Sequence, residues 1–277
     1  MGTTMSIPML TEPYMQRALL AALCMGPLCA LMGVFVTARR MAFFSDTISH
    51  GALTGVALGF WLGFSDPTIP MIVFSLVVAG GLVWLQENTE LLSDTILAVV
   101  LSGSVALGIV ILTSLKGYRG EIQSYLFGDI LAIGWGDLKL ALVLLVSVSW
   151  GLFINLSRLT LVTAHPELAH SCGVPVRVLN YVFVVALTFV VTLSIRLLGI
   201  ILVTSLLVIP PAAARSLSSN LRQQICWSVL LGLTASVGGV IGSYHFDAPC
   251  GPMIVLVCLV LFVAAFVFGR LRGRTSS

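Results

Sequence analysis

The stretch FFSDTISHGALTGVALG, residues 43–59, combines an apolar, glycine-rich run with two ionisable side chains, Asp46 and His50. A second stretch, LLSDTILAVVLSGSVALG at residues 91–108, repeats S-D-T-I and V-A-L-G but has no histidine. Apolar runs of this length can cross the hydrocarbon core of a bilayer as helices. The two stretches predict two spanning helices that begin on the same side of the membrane and run parallel. Helix-start chemistry, with Ser or Asp as N-cap, is an alternative explanation of the shared letters.

The whole chain has the same apolar character. Of its 277 residues, 58% are hydrophobic and 9% are charged, and the mean hydropathy is +1.08. Soluble domains carry about 25% charged residues, so this chain could not cover a water-facing surface. Long unbroken apolar runs indicate helices, because strands of a membrane barrel alternate over about ten residues. We therefore expect an all-α polytopic membrane protein, with residues 1–277 forming a single transmembrane domain.

Nine apolar segments are long enough to span a bilayer. They cover residues 15–36, 45–63, 68–86, 92–115, 137–157, 178–196, 198–214, 224–244 and 251–269. The two segments beside Arg196 are the least regular, because Pro210 and Pro211 remove two consecutive backbone donors. A broken or re-entrant segment is the alternative there, so the expectation is eight or nine spans.

The arginines predict the orientation of the chain, since basic residues accumulate in cytoplasmic loops. With the N-terminus outside, nine arginines fall on the cytoplasmic side: Arg39, Arg40, Arg158, Arg177, Arg215, Arg222, Arg270, Arg272 and Arg274. The opposite orientation places most arginines outside. We expect the N-terminus outside and the C-terminus in the cytoplasm.

Two connecting segments are longer than the rest. The outer one, residues 116–136, predicts a re-entrant or interfacial helix. The cytoplasmic one, residues 158–177, predicts a short helix: Pro166 suits the first turn, Glu167 its positive end, and Gly173 the position just past its C-terminus. This helix has no basic amphipathic face, which favours docking to a protein over lying on the membrane surface.

Asp46 and His50 are the strongest candidates for a functional site, because ionisable residues are costly inside a membrane span. Their i, i+4 spacing places both on one helix face. A carboxylate with an imidazole suits zinc, or manganese with more oxygen ligands. One such pair is too small a ligand set, but two copies related by a two-fold axis supply two nitrogens and two oxygens. The alternative is that Asp46 caps its helix and His50 is a buried, hydrogen-bonded polar residue.

Other polar residues are weaker candidates. Asp94 occupies the place of Asp46 in the second copy, but Ala98 replaces the histidine, so helix capping is the better interpretation. His245 and Asp247 are placed to receive a metal from outside, although a polar turn before Pro249 explains them equally.

Some functions are disfavoured by what the sequence lacks. No G-x-x-x-x-G-K-[ST] phosphate-binding loop is present, so any ATP must be bound by a separate subunit. There is no HExxH or GxSxG motif for an intramembrane hydrolase, and no basic run for nucleic acid. We expect a transport subunit rather than an enzyme, without a permanently bound cofactor.

Five motifs carry a resemblance to a known family. They are RRMAFFSDTISHGALTGVALG, SYLFGDILAI, HPELAHSCGVP, GIILVTSLLVIPPAAA and FDAPCGPMIVL. Together they resemble the permease subunit of bacterial ABC importers for zinc and manganese, and SLLVIPPAAA and DAPCGP are most similar to the zinc type. The resemblance implies the ABC metal-importer permease fold in the bacterial inner membrane. It also implies a homodimer or paired permease, ATPase subunits below, and an extracytoplasmic metal-binding protein above.

The resemblance also assigns residues. Asp46 and His50 map onto the family's metal site, and the cytoplasmic helix, about residues 164–175 with Pro166, Glu167, Leu168 and Gly173, maps onto its coupling helix. His165 departs from the family, which commonly has an Asp there. The expected function is ATP-driven import of a divalent metal, zinc favoured, with uptake falling in acid as His50 is protonated. Manganese or iron import, a chelate permease and a secondary transporter are the alternatives.

Overall fold

The computed structural model describes residues 12–114, 125, 128 and 133–274, and within them the regular structure is helical. The helices are α1 (Pro13–Ala38), α2 (Ala42–Trp61), α3 (Thr68–Asn88), α4 (Ser93–Ser114), α5 (Trp135–Ile154), α6 (Leu156–Ala164), α7 (Pro166–Ser171), α8 (Val176–Leu198), α9 (Ile200–Leu217), α10 (Leu221–Phe246) and α11 (Cys250–Arg274). Eight of them are long and apolar enough to cross a membrane. The 20-residue α2 is the other long helix in the described part of the chain, and its polar residues lower its hydropathy.

The predicted spans are confirmed as helices, including the pair beside Arg196. The segments predicted at 178–196 and 198–214 correspond to α8 and α9. The interruption lies at Gly199, whose φ of 83° is readily adopted by glycine. The predicted alternative of a break at Pro210 and Pro211 is wrong, because α9 continues through both prolines. Most of the predicted outer helix at residues 116–136 lies outside the described residues.

Helix α1 forms the centre of the bundle and packs against α9 and α10. Two buried serines of α10 hold it there: Ser228 Oγ donates to the Ala30 carbonyl at 2.8 Å, and Ser236 Oγ donates to the Ala22 carbonyl at 3.0 Å. These contacts pair later residues of α10 with earlier residues of α1, so the two helices run antiparallel. Interhelical hydrogen bonds of this kind stabilise packing where lipid offers no polar partner.

Helix α2 packs between α3 and α4. The glycines of α2 allow a close approach to α3, where a Cβ at Gly55 would lie 2.8 Å from Met71 Cα. On the α4 side, Thr54 Oγ1 donates to the Ser104 carbonyl at 2.7 Å. Phe44 and Leu97, near the starts of the two helices, line one cavity. The two S-D-T-I helices therefore pack side by side and parallel, as predicted.

The long helices alternate in direction and give the bundle two ends. The Arg39 end contains the last residues of α1 and the first residues of α2, α4 and α8, together with α6 and α7. The Arg196 end contains the last residues of α2 and α8 and the first residues of α5 and α9. Asp46 lies nearer the Arg39 end, since α2 begins there at Ala42.

Candidate functional site

The two copies of S-D-T-I occupy different positions in their helices. Helix α4 begins at Ser93, so Asp94 lies in its first turn, close to the positive end of the helix. Helix α2 begins at Ala42, which places Asp46 in the second turn. The predicted alternative that Asp46 caps α2 is therefore wrong, because the N-cap position belongs to Met41. Asp46 lies deeper in its helix than Asp94 does.

The neighbouring hydroxyl groups do not supply partners for Asp46. Ser45 Oγ donates to the Ala42 carbonyl at 2.7 Å, and Thr47 Oγ1 donates to the Phe43 carbonyl at 2.9 Å. Ser49 Oγ also donates to its own helix, to the Ser45 carbonyl. These polar side chains are satisfied by the α2 backbone, which leaves the carboxylate of Asp46 available to other groups.

Asp46 and His50 lie together on α2. His50 Nε2 is 3.9 Å from Asp46 Oδ1, and their side chains are 34% and 38% exposed. The rest of α2 between these residues is buried, whereas Phe43 and Leu53 continue the exposure one turn to either side. We call Phe43, Asp46, His50 and Leu53 the open stripe of α2. It is the face of this helix that the chain's own neighbouring helices leave uncovered.

The spacing of the two side chains suits a shared metal ion. Zinc bonds to histidine nitrogen and carboxylate oxygen at about 2.0–2.2 Å, so two tetrahedral ligand atoms lie roughly 3.4 Å apart. The observed 3.9 Å needs only a small adjustment of side-chain torsions. Within the described residues, no cluster of three or more His, Cys, Asp or Glu side chains could hold a metal. The pair offers two candidate ligand groups, so a tetrahedral site built on it would need two more ligands.

The structure does not bring His245 and Asp247 to this pair. Helix α10 runs antiparallel to α1 and ends at Phe246, so both residues lie towards the Arg196 end. Asp247 adopts the left-handed conformation with φ 48°, and Ser243 Oγ closes the turn on the Ala248 carbonyl at 2.6 Å. Both side chains are exposed. The polar turn before Pro249 is thus formed, and it leaves the two side chains accessible from that end.

The predicted short helix is α7, with the predicted terminus. Gly173 has φ 73°, its N–H donates to the His170 carbonyl, and the Val174 N–H donates to the Ala169 carbonyl. This pair of hydrogen bonds is the Schellman arrangement that ends a helix at glycine. Glu167 and Leu168 are exposed, and Leu168 is 55% exposed, whereas Ala169 is buried. His165 caps α7 without a side-chain hydrogen bond, in line with the missing carboxylate at that position.

The sequence did not reveal an ion-pair cluster at the Arg196 end. Arg196 Nη1 lies 3.2 Å from Asp66 Oδ2, and its Nη2 lies 3.4 Å from Asp137 Oδ1. Asp66 also accepts hydrogen bonds from the Thr68 hydroxyl and N–H. Partial desolvation acts to raise the pKa of Asp66, but these hydrogen bonds and the Arg196 charge outweigh it, so the pKa lies below its ordinary value. The cluster joins the α2–α3 loop, α5 and α8.

Comparisons with known proteins agree on one family. The model of the ABC 3 transport family matches residues 11–269. The high-affinity zinc uptake system membrane protein ZnuB of Haemophilus influenzae is 35% identical over 92% of this chain and 97% of its own. The manganese transport system membrane protein MntC of Halalkalibacterium halodurans is 30% identical over 96% and 90%. The solved structure of PsaBC from Streptococcus pneumoniae in complex with Fab superposes with a TM-score of 0.83, at 32% identity over 94% of both chains.

These matches cover nearly the whole bundle, including α2 with its open stripe and the α7 helix. They confirm the resemblance found in the motifs, and with it the all-helical permease fold. They also identify the chain as a multi-pass transmembrane component without catalytic activity of its own. The chain belongs to the ABC 3 transport family, as a permease subunit of the bacterial ABC importers for metal ions.

Proposed function

We propose that this permease moves a divalent transition metal, zinc in the first place, from an extracytoplasmic binding protein into the bacterial cytoplasm. The observation that carries the proposal is the Asp46–His50 pair, 3.9 Å apart on the open stripe of α2, with the residues between them buried. An ionisable pair inside a membrane-spanning helix is costly unless it has a function. Imidazole and carboxylate are zinc ligands, and the relative from Haemophilus influenzae is named for zinc uptake.

We propose further that two copies of the chain form the transport pathway, with their α2 helices facing across a two-fold axis. Two ligands per chain would then make a four-ligand site of two nitrogens and two oxygens. The open stripe supports this arrangement, because Phe43 and Leu53 flank the pair with apolar surface that a second chain would cover. The pair itself is accessible in one chain and would be enclosed in two.

The orientation that we propose places the Arg39 end in the cytoplasm. The arginines at that end are Arg39, Arg40, Arg158, Arg177, Arg215, Arg222 and Arg270. Basic residues are retained on the cytoplasmic side during insertion. The N-terminus is then outside and the C-terminus inside, and His245 and Asp247 face the side from which metal arrives. We propose these two residues as weak first contacts for the metal.

The α7 helix is the proposed contact with the ATPase. ABC permeases work with an ATPase subunit and a binding protein, so the secondary-transporter alternative has no further support. Helix α7 lies at the Arg39 end, held by the Gly173 terminus, with Glu167 and Leu168 exposed. Motion of the ATPase would pull on this helix and rock the attached spans, which alternately opens the metal site to each side.

Binding at the site must be moderate, because an ion that binds too tightly is not released. A half-site from each chain meets this need, since separating the two α2 helices divides the ligand set. Protonation of His50 removes its lone pair, so we expect uptake to fall as the medium becomes acidic.

The deciding experiment is metal uptake into proteoliposomes that contain the permease, its ATPase and its binding protein, with zinc and manganese in competition. The proposal expects ATP-dependent zinc uptake that manganese inhibits weakly. Manganese is the second candidate, because a relative of similar coverage is named for manganese transport and because Mn²⁺ accepts carboxylate ligands. Uptake of manganese in preference to zinc would transfer the assignment to manganese, and iron is tested in the same assay.

A further inference from the structure

A cavity of about 660 Å³ opens at the Arg39 end of the bundle. Its walls come from the turn between α1 and α2, the turn between α3 and α4, the end of α6 and the start of α8. The charged residues that line it are Arg39, Arg40, Arg177, Glu87 and Asp94. No residue of the open stripe lines it, and the metal pathway proposed above does not use it.

Arg39 is the half-buried cation of this cavity. Its Nε donates to Thr163 Oγ1 at 3.1 Å and its Nη1 donates to Asn180 Oδ1 at 3.2 Å. The guanidinium carbon lies 4.5 Å from the ring centroid of Phe183. Its Nη2 is buried and has no hydrogen-bond partner. Burial lowers the pKa of Arg39 to about 10, which leaves it charged at neutral pH with one donor group unused.

The acidic residues do not neutralise this group. Glu87 Oε2 accepts a hydrogen bond from the Tyr181 hydroxyl at 3.3 Å. Asp94 lies in the first turn of α4, where the helix N-terminus stabilises its charge. Among the described residues, neither Arg40 nor Arg177 takes part in an ion pair. Three positive side chains against two negative ones leave the cavity with an excess of positive charge.

The cavity lies at the depth of lipid headgroups. Arg39 and Arg40 directly follow the last residue of α1, and Arg177 is the second residue of α8. Residues at the ends of spanning helices lie where the hydrocarbon core meets the phosphate layer. Apolar side chains, including Met41, Phe44 and Leu97, complete the lining. The cavity therefore combines an unsatisfied cation with apolar walls at the membrane interface.

We propose that this cavity binds the phosphate group of an anionic phospholipid, with the exposed Arg40 and Arg177 as its contacts and the positive charge of Arg39 behind them. Basic cavities between spanning helices bind anionic headgroups in this way. A phosphate ester offers several oxygen acceptors to guanidinium groups, and its glycerol and acyl carbons match the apolar walls. A single carboxylate from an ATPase side chain would fill little of the volume. The inference goes beyond metal transport and does not depend on the metal.

Native mass spectrometry of the full-length permease tests the proposal. The protein is stripped of lipid in detergent and titrated with phosphatidylglycerol or with zwitterionic phosphatidylethanolamine, and inorganic phosphate is added in a separate arm. We expect a saturable phosphatidylglycerol adduct whose affinity falls roughly tenfold in Arg39→Gln, because the cavity loses one of its three positive charges. Arg222→Gln is the matched control, because Arg222 is an exposed arginine at the same end of the bundle and does not line this cavity.

A second variant separates binding from folding. Arg40→Gln/Arg177→Gln leaves the hydrogen bonds of Arg39 intact, and the proposal expects it to weaken the adduct while monodispersity and thermal unfolding without lipid stay unchanged. Unchanged phosphatidylglycerol binding in both variants would overturn the proposal, as would equal binding of phosphatidylethanolamine. Binding of inorganic phosphate with an affinity equal to that of phosphatidylglycerol would show that the cavity takes a free phosphate ion rather than a lipid. If either variant no longer co-purified with the ATPase but still bound phosphatidylglycerol like wild type, the cavity would be a contact with the ATPase instead.

Discussion

His50 Nε2 lies 3.9 Å from Asp46 Oδ1, one turn further along α2, and no third ligand side chain in the described residues joins them. The pair matches half of the tetrahedral ligand set that we propose, and it lies on the one face of α2 that its own chain leaves open. Asp94 begins the parallel helix α4 without a histidine one turn later. The chain therefore contains the proposed half-site, Asp46 with His50, and a matched sequence with an aspartate but no histidine.

Replacing either member of the pair should strongly lower transport without unfolding the protein. We expect Asp46→Asn and His50→Ala each to lower ATP-dependent zinc uptake at least about tenfold, the scale found even for groups that merely orient metal ligands. Both side chains are about one third exposed, so their loss leaves no buried cavity. Uptake into proteoliposomes, with thermal unfolding measured in parallel, checks the expectation.

Asp94→Asn is the control for this pair, since Asp94 occupies the same S-D-T-I position in α4. Its uptake should stay within about twofold of wild type, because an exposed residue in a first helical turn contributes little more than a helix-dipole interaction. Wild-type uptake by His50→Ala would show that the metal site lies elsewhere. A loss in Asp94→Asn as large as that in Asp46→Asn would remove the distinction between the copies.

The exposed side chain of Leu168 should carry the contact with the ATPase. We expect Leu168→Asp to lower co-purification of the ATPase and the stimulation of its activity, because a charge at an apolar contact is poorly tolerated. Leu91→Asp is the matched control: Leu91 is 60% exposed, close to the 55% of Leu168, and lies in the turn between α3 and α4, outside the spanning helices and outside α7. Full retention of the ATPase by Leu168→Asp, in a permease that is monodisperse, would contradict the assignment.

Gly33 should tolerate no side chain. A Cβ at this position would overlap the Leu207 carbonyl oxygen and lie 2.7 Å from Pro211 Cγ. Pro211 has no N–H, so the Leu207 carbonyl receives no helical hydrogen bond from it. At this point the backbone of α9 packs directly against α1. We expect Gly33→Ala to destabilise the permease by about 1–3 kcal/mol, the cost of overpacking a core, and to lower its thermal unfolding temperature.

Gly80→Ala gives the comparison, because nothing lies within 4 Å of a Cβ there. Alanine in a helix interior is favoured over glycine by about 0.5–1 kcal/mol, so Gly80→Ala should be neutral or slightly stabilising. Equal unfolding temperatures for the two variants would show that α1 and α9 separate more readily than their packing indicates.

The spanning helices could be predicted from the sequence because run length and apolarity fix them locally, as for the segment predicted at 178–196 and found as α8. The terminus of α7 could also be predicted locally, because Gly173 readily adopts the positive φ that ends a helix. The start of α2 could not be predicted, since the apolar residues before Ser45 extend the helix back to Ala42 and change the role of Asp46. The partners of Arg196 were also missed, because Asp66 and Asp137 are distant in sequence and meet through folding alone.

The Arg196–Asp66 ion pair should make the permease less stable in acid. The pKa of Asp66 in the folded chain lies below the ordinary value of 3.8. Its stabilising contribution is therefore complete above pH 3.8 and is lost as the pH falls through the lower folded value. We expect Asp66→Asn to lower the unfolding temperature slightly at pH 7. The difference in unfolding temperature between this variant and wild type should shrink as the pH falls below 3.8. Because the Asp66 side chain is 58% exposed, the effect should stay below about 1 kcal/mol.

A double-mutant cycle with Arg196→Gln isolates this interaction from the second contact of Arg196, with Asp137. In the Arg196→Gln background, Asp66→Asn should have a smaller effect at pH 7 than in wild type, since the cation that favours the carboxylate is gone. Thermal unfolding of the four proteins at pH 7 and in acid provides the measurement. Identical effects of Asp66→Asn with and without Arg196 would mean that Thr68 alone holds the carboxylate, and that the cluster does not link α8 to the α2–α3 loop.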